Sequence, residues 1–516
     1  MIVLVLVILL VQCKAVPPAQ KNPEKDVSKS FSAFQPIKPS SKDAVILAKG
    51  FSYKVLISYG DKINPNGDTF GFNNDHIEYF PIDGLKGGQN PKEGYLYVNH
   101  EFYGKQTATG KTPEIIKKEK YLVGGSILKV MKSSDGWKVL TNSPHNTRIT
   151  AETPIRVEGP AKAILGDKVE GTLANCSGGQ TPWGTVLSGE ETLDYGLKHG
   201  WPGFKPNNYG WMVEIDPYKP KSFPVKQSAL GRMRHENAAI TVAKDGRVVV
   251  YMGNDTNFGG FYKFISKGKY IKGNRENNLK LLTTGQLYGA QVSNETGEKG
   301  TGKWIPIDMN DPVSGPKLRR AGYKSQGEVL IDAHKLNKIL GISGLDRPED
   351  CEIHPKDGSI YLSLTGSFKR FPPNLHGAIW RFIEKNNDPL SLSFTYETFA
   401  KGGVKGGFAN PDNLAFDKAG NLWMLTDMSG SKVNKLGWAS FKNNGMFMFK
   451  TTGPEKGKAK QFASGPNGSE FSGLWFTPDE TTLFVSVMHP GEKGNTSTWP
   501  PGKNGPKPSV IAIHMK

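Results

Sequence analysis

The segment Asn175-Cys176-Ser177-Gly178-Gly179-Gln180-Thr181-Pro182-Trp183-Gly184-Thr185, followed by Glu190-Glu191, joins a thiol, a Gly/Pro-shaped turn, a short apolar strand and two carboxylates. A thiolate selects a transition metal such as iron or zinc, whereas carboxylates also hold calcium, so the mixture suits a metal centre with one soft ligand among hard ones. Other stretches offer compatible donors. Asn99-His100-Glu101 ends the apolar run Tyr95-Leu96-Tyr97-Val98 with an amide oxygen and a carboxylate at its tip. Arg234-His235-Glu236 and Arg347-Pro348-Glu349 each set an arginine two residues before an acid. That guanidinium could form a structural ion pair, but its planar fork is also the group that clamps two phosphate oxygens.

The elements that must position these residues form a degenerate repeat. Pro348 to Leu362, Pro411 to Met424 and Glu470 to Val485 each run acid, short strand, tight turn, second apolar strand. Glu236 to Tyr251, through Asp245-Gly246, fits the same mould. Units around Glu101, Cys176, Glu236, Glu349, Asp412 and Glu470 recur at intervals of 75, 60, 113, 63 and 58 residues, and the longest leaves room for an insertion near Lys272 to Leu345. Repeated β-meanders predict an all-β fold, a six-bladed β-propeller with inserted loops and few helices. The better helical patterns are Ile115 to Lys120 and Glu328 to Leu340, and Ser509 to His514 is expected as a closing strand, with the first blade as its candidate place. An acid at one blade position faces the same axial cavity in every blade, and such a cage of carboxylates repels itself and takes up protons unless cations bind.

The apolar run Ile2 to Val11 is too short to span a bilayer and reads as the core of a signal peptide over residues 1–15. No Lys or Arg precedes it, and Cys13 is a possible lipid anchor. Residues 16–45, rich in Pro, Lys, Ser and Gln, read as a flexible linker, and 46–516 as a single propeller domain. The expected location is therefore outside the cytoplasm: periplasmic, on the outer surface as a lipoprotein, or secreted. The formal charge of +18 is scattered, without a groove-reading motif, so no nucleic-acid partner is expected. Such a charge draws anionic small molecules toward a cleft. Beyond Cys13 only Cys176 and Cys351 remain. They could pair as a disulfide, although alternation in Cys351-Glu352-Ile353-His354 places Cys351 in the core.

Taken together, Asn-Cys-Ser-Gly-Gly-Gln-Thr-Pro-Trp-Gly-Thr with Glu-Glu resembles the signature of PhoX-type alkaline phosphatases. The resemblance continues through Asn73-Asn74-Asp75, Asn99-His100-Glu101, His235-Glu236, Arg347-Pro348-Glu349, Pro411-Asp412 and His489-Pro490-Gly491-Glu492, from about Gly50 to the C-terminus. It implies a six-bladed propeller carrying two iron(III) and three calcium ions around a bridging oxide. By the same resemblance Cys176 and Glu236 would be iron ligands, Asn99, Glu101, Glu191, Glu349 and Asp412 would complete the iron and calcium coordination, and Arg347 would hold the substrate phosphate. The implied activity is hydrolysis of phosphate esters, and the chain is separately expected to act as a monomer. A twin-arginine export signal, common in that family, is absent from this N-terminus. Two other readings fit the residues: a calcium-only propeller hydrolase of lactonase or phytase type, in which Cys176 is dispensable, and a non-catalytic exported propeller that binds a partner at its channel mouth.

Overall fold

The computed structural model describes residues 30–104 and 112–516. The expected signal peptide, Cys13 and the first part of the linker lie outside the described residues. Six four-stranded meanders are arranged as blades, with innermost strands Asn74–Pro81, Asn175–Gln180, Ala239–Val242, Pro348–Ile353, Pro411–Phe416 and Glu470–Phe476. The third and fourth blades share one nine-stranded sheet. A hairpin of Gly285–Val292 and Lys299–Pro306 runs out of the third blade and pairs Lys299 to Lys303 with Glu397 to Ser393 of the fourth.

Period-2 alternation explains why the strands read as nearly continuous apolar runs. In Arg247–Gly253, Val248, Val250 and Met252 pack toward the second blade, while Val249 and Tyr251 pack toward the fourth. Each face of a blade is thus buried against a neighbour, and an apolar cluster fills each of the six seams.

Ring closure departs from expectation. Ser509–Met515 belongs to the sixth blade, where it pairs on one side with Thr482–Met488 and on the other with the N-terminal strand Phe51–Ser58. Ile46–Leu47 adds a further edge to the fifth blade, on Lys460–Ser464. The N-terminal chain therefore ties two blades.

The linker expectation is also corrected over 30–45. Phe31 is 2% exposed and sits among Phe51, Trp423, Phe462 and Phe476. Ile37 N–H donates to Gln461 O, and Asp43 accepts from Asn467, Ser497 and Thr498. Phe31, Phe34, Ile37 and Val45, spaced through a polar stretch, join the apolar core of the body and pin it there.

The first expected helix lies within Pro113–Leu122. The second is broken into Gln326–Ile331, a 3-10 turn Ala333–Lys335 and Asn337–Leu340, so that Val329, Leu330, Ala333, Leu336 and Leu340 can all reach the core, while Ile331 packs with Ala161 and Trp211. Among the described residues no helix is long and apolar enough to cross a membrane.

Candidate metal centre

One backbone device recurs where the innermost strands begin. Asn73, Ala174, Arg347 and Asn410 all adopt left-handed conformations, with φ of 51°, 52°, 57° and 51°. Left-handed backbone is tolerated by asparagine but costly for Ala174 and Arg347, a cost characteristic of functional sites. Two residues later in each blade stands Asp75, Cys176, Glu349 or Asp412. There the register slips: Asn74 pairs with His100 but Ile77 with Val98, Asn175 with Glu190 but Gly178 with Ser188, Pro348 with Leu364 but Cys351 with Leu362, and Pro411 with Thr426 but Leu414 with Met424. In each case two residues oppose one, a bulge that re-aims the first of the pair. In the third blade His235 pairs with Asn254 and Ala239 with Tyr251, which places Glu236 in a similar irregularity.

A lower ring therefore comes from the starts of the first strands: Asp75, Cys176, Glu236, Glu349, Asp412 and Glu470. The first-blade member is Asp75, not Glu101 as the repeat suggested. Glu101 belongs to an upper ring, just past the ends of the second strands, with Glu191, Asp255, Asp427 and His489. The two rings interleave. Asp75, Glu101 and Cys176 bring ligand atoms within 4.8 Å of one another, as do Glu191, Glu236 and Asp255, and Glu236, Glu349 and Asp412.

The seams between blades set this spacing. Gly189 and Gly253 lie against the carbonyls of Glu236 and Glu349, and a Cβ on either would come within 2.3 Å and 2.1 Å of those oxygens. Ser363 Oγ donates to Asp412 O at 2.6 Å and Ser486 Oγ to Asp75 O at 2.5 Å. Asn99 Nδ2 donates to Cys176 O at 2.8 Å and to Ser177 O at 3.1 Å, while its Oδ1 accepts from Ser188 at 2.7 Å. Asn99 thus braces the cysteine strand. Glu190 also parts from its neighbour Glu191: it pairs with buried Lys226 at 2.8 Å and accepts the N–H groups of Gly210 and Trp211.

Packed together, the acids are poor anions. Burial first, then the charge of Glu191, pushes Asp75 up to about 7 against the help of its Ser472 hydrogen bond, and burial followed by Asp255 takes Glu191 to about 7. Glu101, Glu236, Glu349, Asp412 and Glu470 are held well above the carboxylate range by burial and by one another. The same causes raise the Cys176 thiol, which donates to Glu236 Oε2 at 3.1 Å. Beside them Asn73 donates to Glu101 Oε2 at 3.4 Å, and its own Oδ1 is buried without a hydrogen-bond partner. Clustered carboxylates, one thiol and an unsatisfied amide oxygen form a donor set that fits metal ions, whose charge removes the mutual repulsion.

Arg347 leans over this cluster. It reaches Asp255 through Nε at 2.7 Å and Nη2 at 2.6 Å, and Glu349 through Nη2 at 2.8 Å, with its side chain 28% exposed. Arg234 is more loosely placed, 4.0 Å from both Glu191 and Asp194. Cys351 is fully buried and, like Cys176, a free thiol, so the two do not pair. Of the expected ligands, Cys176, Glu101, Glu191, Glu236, Glu349 and Asp412 come together. Asp75 and Asp255 join them unassigned by sequence reasoning. Asp255 sits at the tip of a second strand, as Glu101 does, and that shared position was the available signal.

Fold and site together define a β-propeller enzyme whose acidic groups can hold metal ions at one mouth of the channel. The sequence profile of alkaline phosphatase PhoX matches residues 32–491, and the chain belongs to the PhoX alkaline phosphatase family. A solved structure of Pseudomonas fluorescens PhoX in complex with vanadate, a transition-state analogue, is similar over 93% of this chain and 98% of that one, at 32% identity and a TM-score of 0.84. XC5397 of Xanthomonas campestris, a gluconolactonase, covers 95% of this chain and 100% of its own at 11% identity and a TM-score of 0.37, a distant likeness that bears on neither substrate nor chemistry. No curated protein sequence matches the chain. The protein is a phosphatase that hydrolyses phosphate esters.

Proposed function

We propose that this phosphatase acts on phosphate monoesters at alkaline pH, outside the cytoplasm and as a monomer, with the mixed iron and calcium centre that its family resemblance implies. The observation that carries the reading is Cys176, a thiol at a blade position otherwise taken by carboxylates and within 4.8 Å of Asp75 and Glu101. A calcium-only centre has no use for a sulfur ligand. In this reading Cys176 and Glu236 hold iron, and Asp75, Glu101, Glu191, Asp255, Glu349 and Asp412 complete the iron and calcium set. Asn99 keeps its ligand role through the second lone pair of Oδ1, the first accepting from Ser188. Bound there, such ions supply Lewis acidity toward a phosphoryl group and a nucleophile at the working pH.

The chain's own residues do the rest. The proton between Cys176 Sγ and Glu236 Oε2 leaves before either can serve as an anionic donor. Arg347 turns its free N–H groups to the phosphoryl oxygens, held at the cluster's edge by Asp255 and Glu349, and stabilises the charge that builds in the transition state. The surplus of lysine and arginine favours arrival of an anionic ester. Export rests on the apolar run Ile2 to Val11, with Cys13 as a possible point of lipid attachment.

The test is hydrolysis of a chromogenic phosphate monoester at alkaline pH before chelation, after it, and after calcium is restored, with iron counted throughout. Activity lost and regained with calcium while iron stays bound supports the mixed centre. Full activity in iron-free protein would move the assignment to a calcium-only hydrolase. A folded, metal-replete protein without turnover would leave only a binding propeller.

A further inference from the structure

Three loops at the metal-centre end of the propeller carry an unusual surface. They span residues 366–376, 402–408 and 428–442, and strand pairing places them all at that end. Leu364 pairs with Pro348, Lys401 with Ala378, and Thr426 with Pro411. They are tied into one unit. Gly402 N–H donates to Gly377 O at 2.9 Å, the His376 ring lies 5.5 Å from Trp438 and its Nε2 is 2.9 Å from Gly437 O, and Phe368 lies 5.8 Å from Trp438.

The tips of this unit are apolar and face water: Phe368 is 61% exposed, Phe371 93%, Val404 73% and Leu436 95%. Basic residues alternate with them. Lys369, Lys405, Lys435 and Lys442 are exposed and form no ion pair among the described residues, and Lys432 stands over the rings of Phe368 and Trp438 at 5.6 Å and 5.3 Å. The three loops contain no Asp or Glu. The carboxylates beside the loops include Asp346, held by Arg370 and Asn374, Glu295, held by Arg370, Glu492, held by the Gly430 N–H and Lys493, Asp427, whose charge acts on Lys432, and the exposed Glu298.

Large apolar side chains held at protruding tips lose free energy in water that they recover in an apolar phase, and unpaired lysines between them select a negatively charged boundary. We propose that this face docks on an anionic lipid surface, with Phe368, Phe371, Val404 and Leu436 entering the headgroup region and Lys369, Lys405, Lys435 and Lys442 lying against lipid phosphates. A second copy of the chain is a poor occupant, because a two-fold contact through this face would set lysines against lysines. Docked in this way, the channel mouth faces the lipid. The proposal does not depend on which metals or esters the centre takes.

The experiment is co-sedimentation of the purified full-length protein with vesicles of phosphatidylcholine alone and of phosphatidylcholine with phosphatidylglycerol, at low and high salt. Three double variants are compared: Phe371→Ser with Leu436→Ser, Lys405→Glu with Lys435→Glu, and Lys219→Glu with Lys221→Glu. The last pair is exposed on the 216–222 loop at the opposite end, since Ile215 pairs with Val186 and Val186 with Gln180. It removes the same net charge. Thermal midpoints check that all three remain folded. The protein is expected to bind anionic vesicles and not neutral ones. The apolar variant should lose at least about 10-fold in partitioning, and the rim lysine variant at least about 25-fold, given roughly five-fold per charge. The opposite-end variant should stay within about three-fold. No binding to anionic vesicles at low salt would overturn the proposal, and so would equal losses from both lysine variants. Binding indifferent to Phe371→Ser with Leu436→Ser would also overturn it and favour an anionic protein or polymer as the partner.

Discussion

Arg347 grips Asp255 with two parallel hydrogen bonds, Nε to Oδ1 at 2.7 Å and Nη2 to Oδ2 at 2.6 Å, and the same Nη2 reaches Glu349 at 2.8 Å. The pair spans two blades, because Asp255 follows a second strand of the third and Arg347 precedes the first strand of the fourth. In the proposed reading, a guanidinium so held is aimed before substrate arrives, by a carboxylate of a cluster that could hold a metal ion. Arg347→Lys keeps the charge but loses the fork, and is expected to lower kcat/KM for a phosphate monoester by roughly 10² with iron and calcium content unchanged. Steady-state kinetics with metal analysis checks this, and unchanged kinetics would remove Arg347 from the substrate contact.

In the proposed mixed centre, iron binding rests on Cys176. Cys176→Ala should yield a folded protein that has lost bound iron and activity together, measured by metal analysis and ester turnover on one sample. An active, iron-replete Cys176→Ala protein would overturn the thiolate assignment.

In the proposed centre, calcium and protons would compete for the same carboxylate oxygens. Asp75 and Glu191 sit at about 7 in the metal-free fold, above their ordinary values of 3.8 and 4.5. The metal-free fold therefore binds more protons than the unfolded chain between those values, and it loses stability as pH rises through that window. Buried His76, His235 and His334 shift the other way, to about 3, 4 and 4, but they do so in both metal states and cancel in a difference. The gap in Tm between calcium-replete and chelated protein should widen from about pH 5 to about pH 8. A gap independent of pH would mean that calcium binds elsewhere.

Glu190 and Glu191 are adjacent in sequence and separate in role. Lys226→Met leaves Glu190 buried without its 2.8 Å partner and should cost about 3–5 kcal/mol in unfolding free energy. Metal content of the folded fraction should not change. Loss of metal from that variant would place Glu190 in the centre.

Phe31 tests whether residues 30–45 are part of the fold. Phe31→Ala empties a site among four aromatic rings and should lower stability by about 3–5 kcal/mol, read from denaturant unfolding. A change below about 0.5 kcal/mol, typical of a surface site, would restore the tether reading.

The acid-strand-turn-strand repeat was enough, without coordinates, to specify a propeller and its channel, and with the Cys176 motif it named six of the groups that meet at the mouth: Glu101, Cys176, Glu191, Glu236, Glu349 and Asp412. Those signals are local: period-2 apolar runs, Asp-Gly turns, and a thiol in a setting unsuited to a core. What the linear text does not carry is depth along the channel. Asp75 and Glu101 lie on successive strands of one blade, and only the bulge after Asn74 and the pairing of Asn74 with His100 show that the first belongs to the lower ring and the second to the upper. The same holds for Asp255, which becomes a partner of Glu236 and Arg347 only when the third and fourth blades close against Gly253. Residues 30–45 read as tether because composition counts polar residues, whereas Phe31 packs through contacts with residues several hundred positions away. Blade identity is written in short-range pattern. Which donors meet is decided by bulges, left-handed residues and glycine-lined seams, whose effect exists only between chain segments that the sequence keeps far apart.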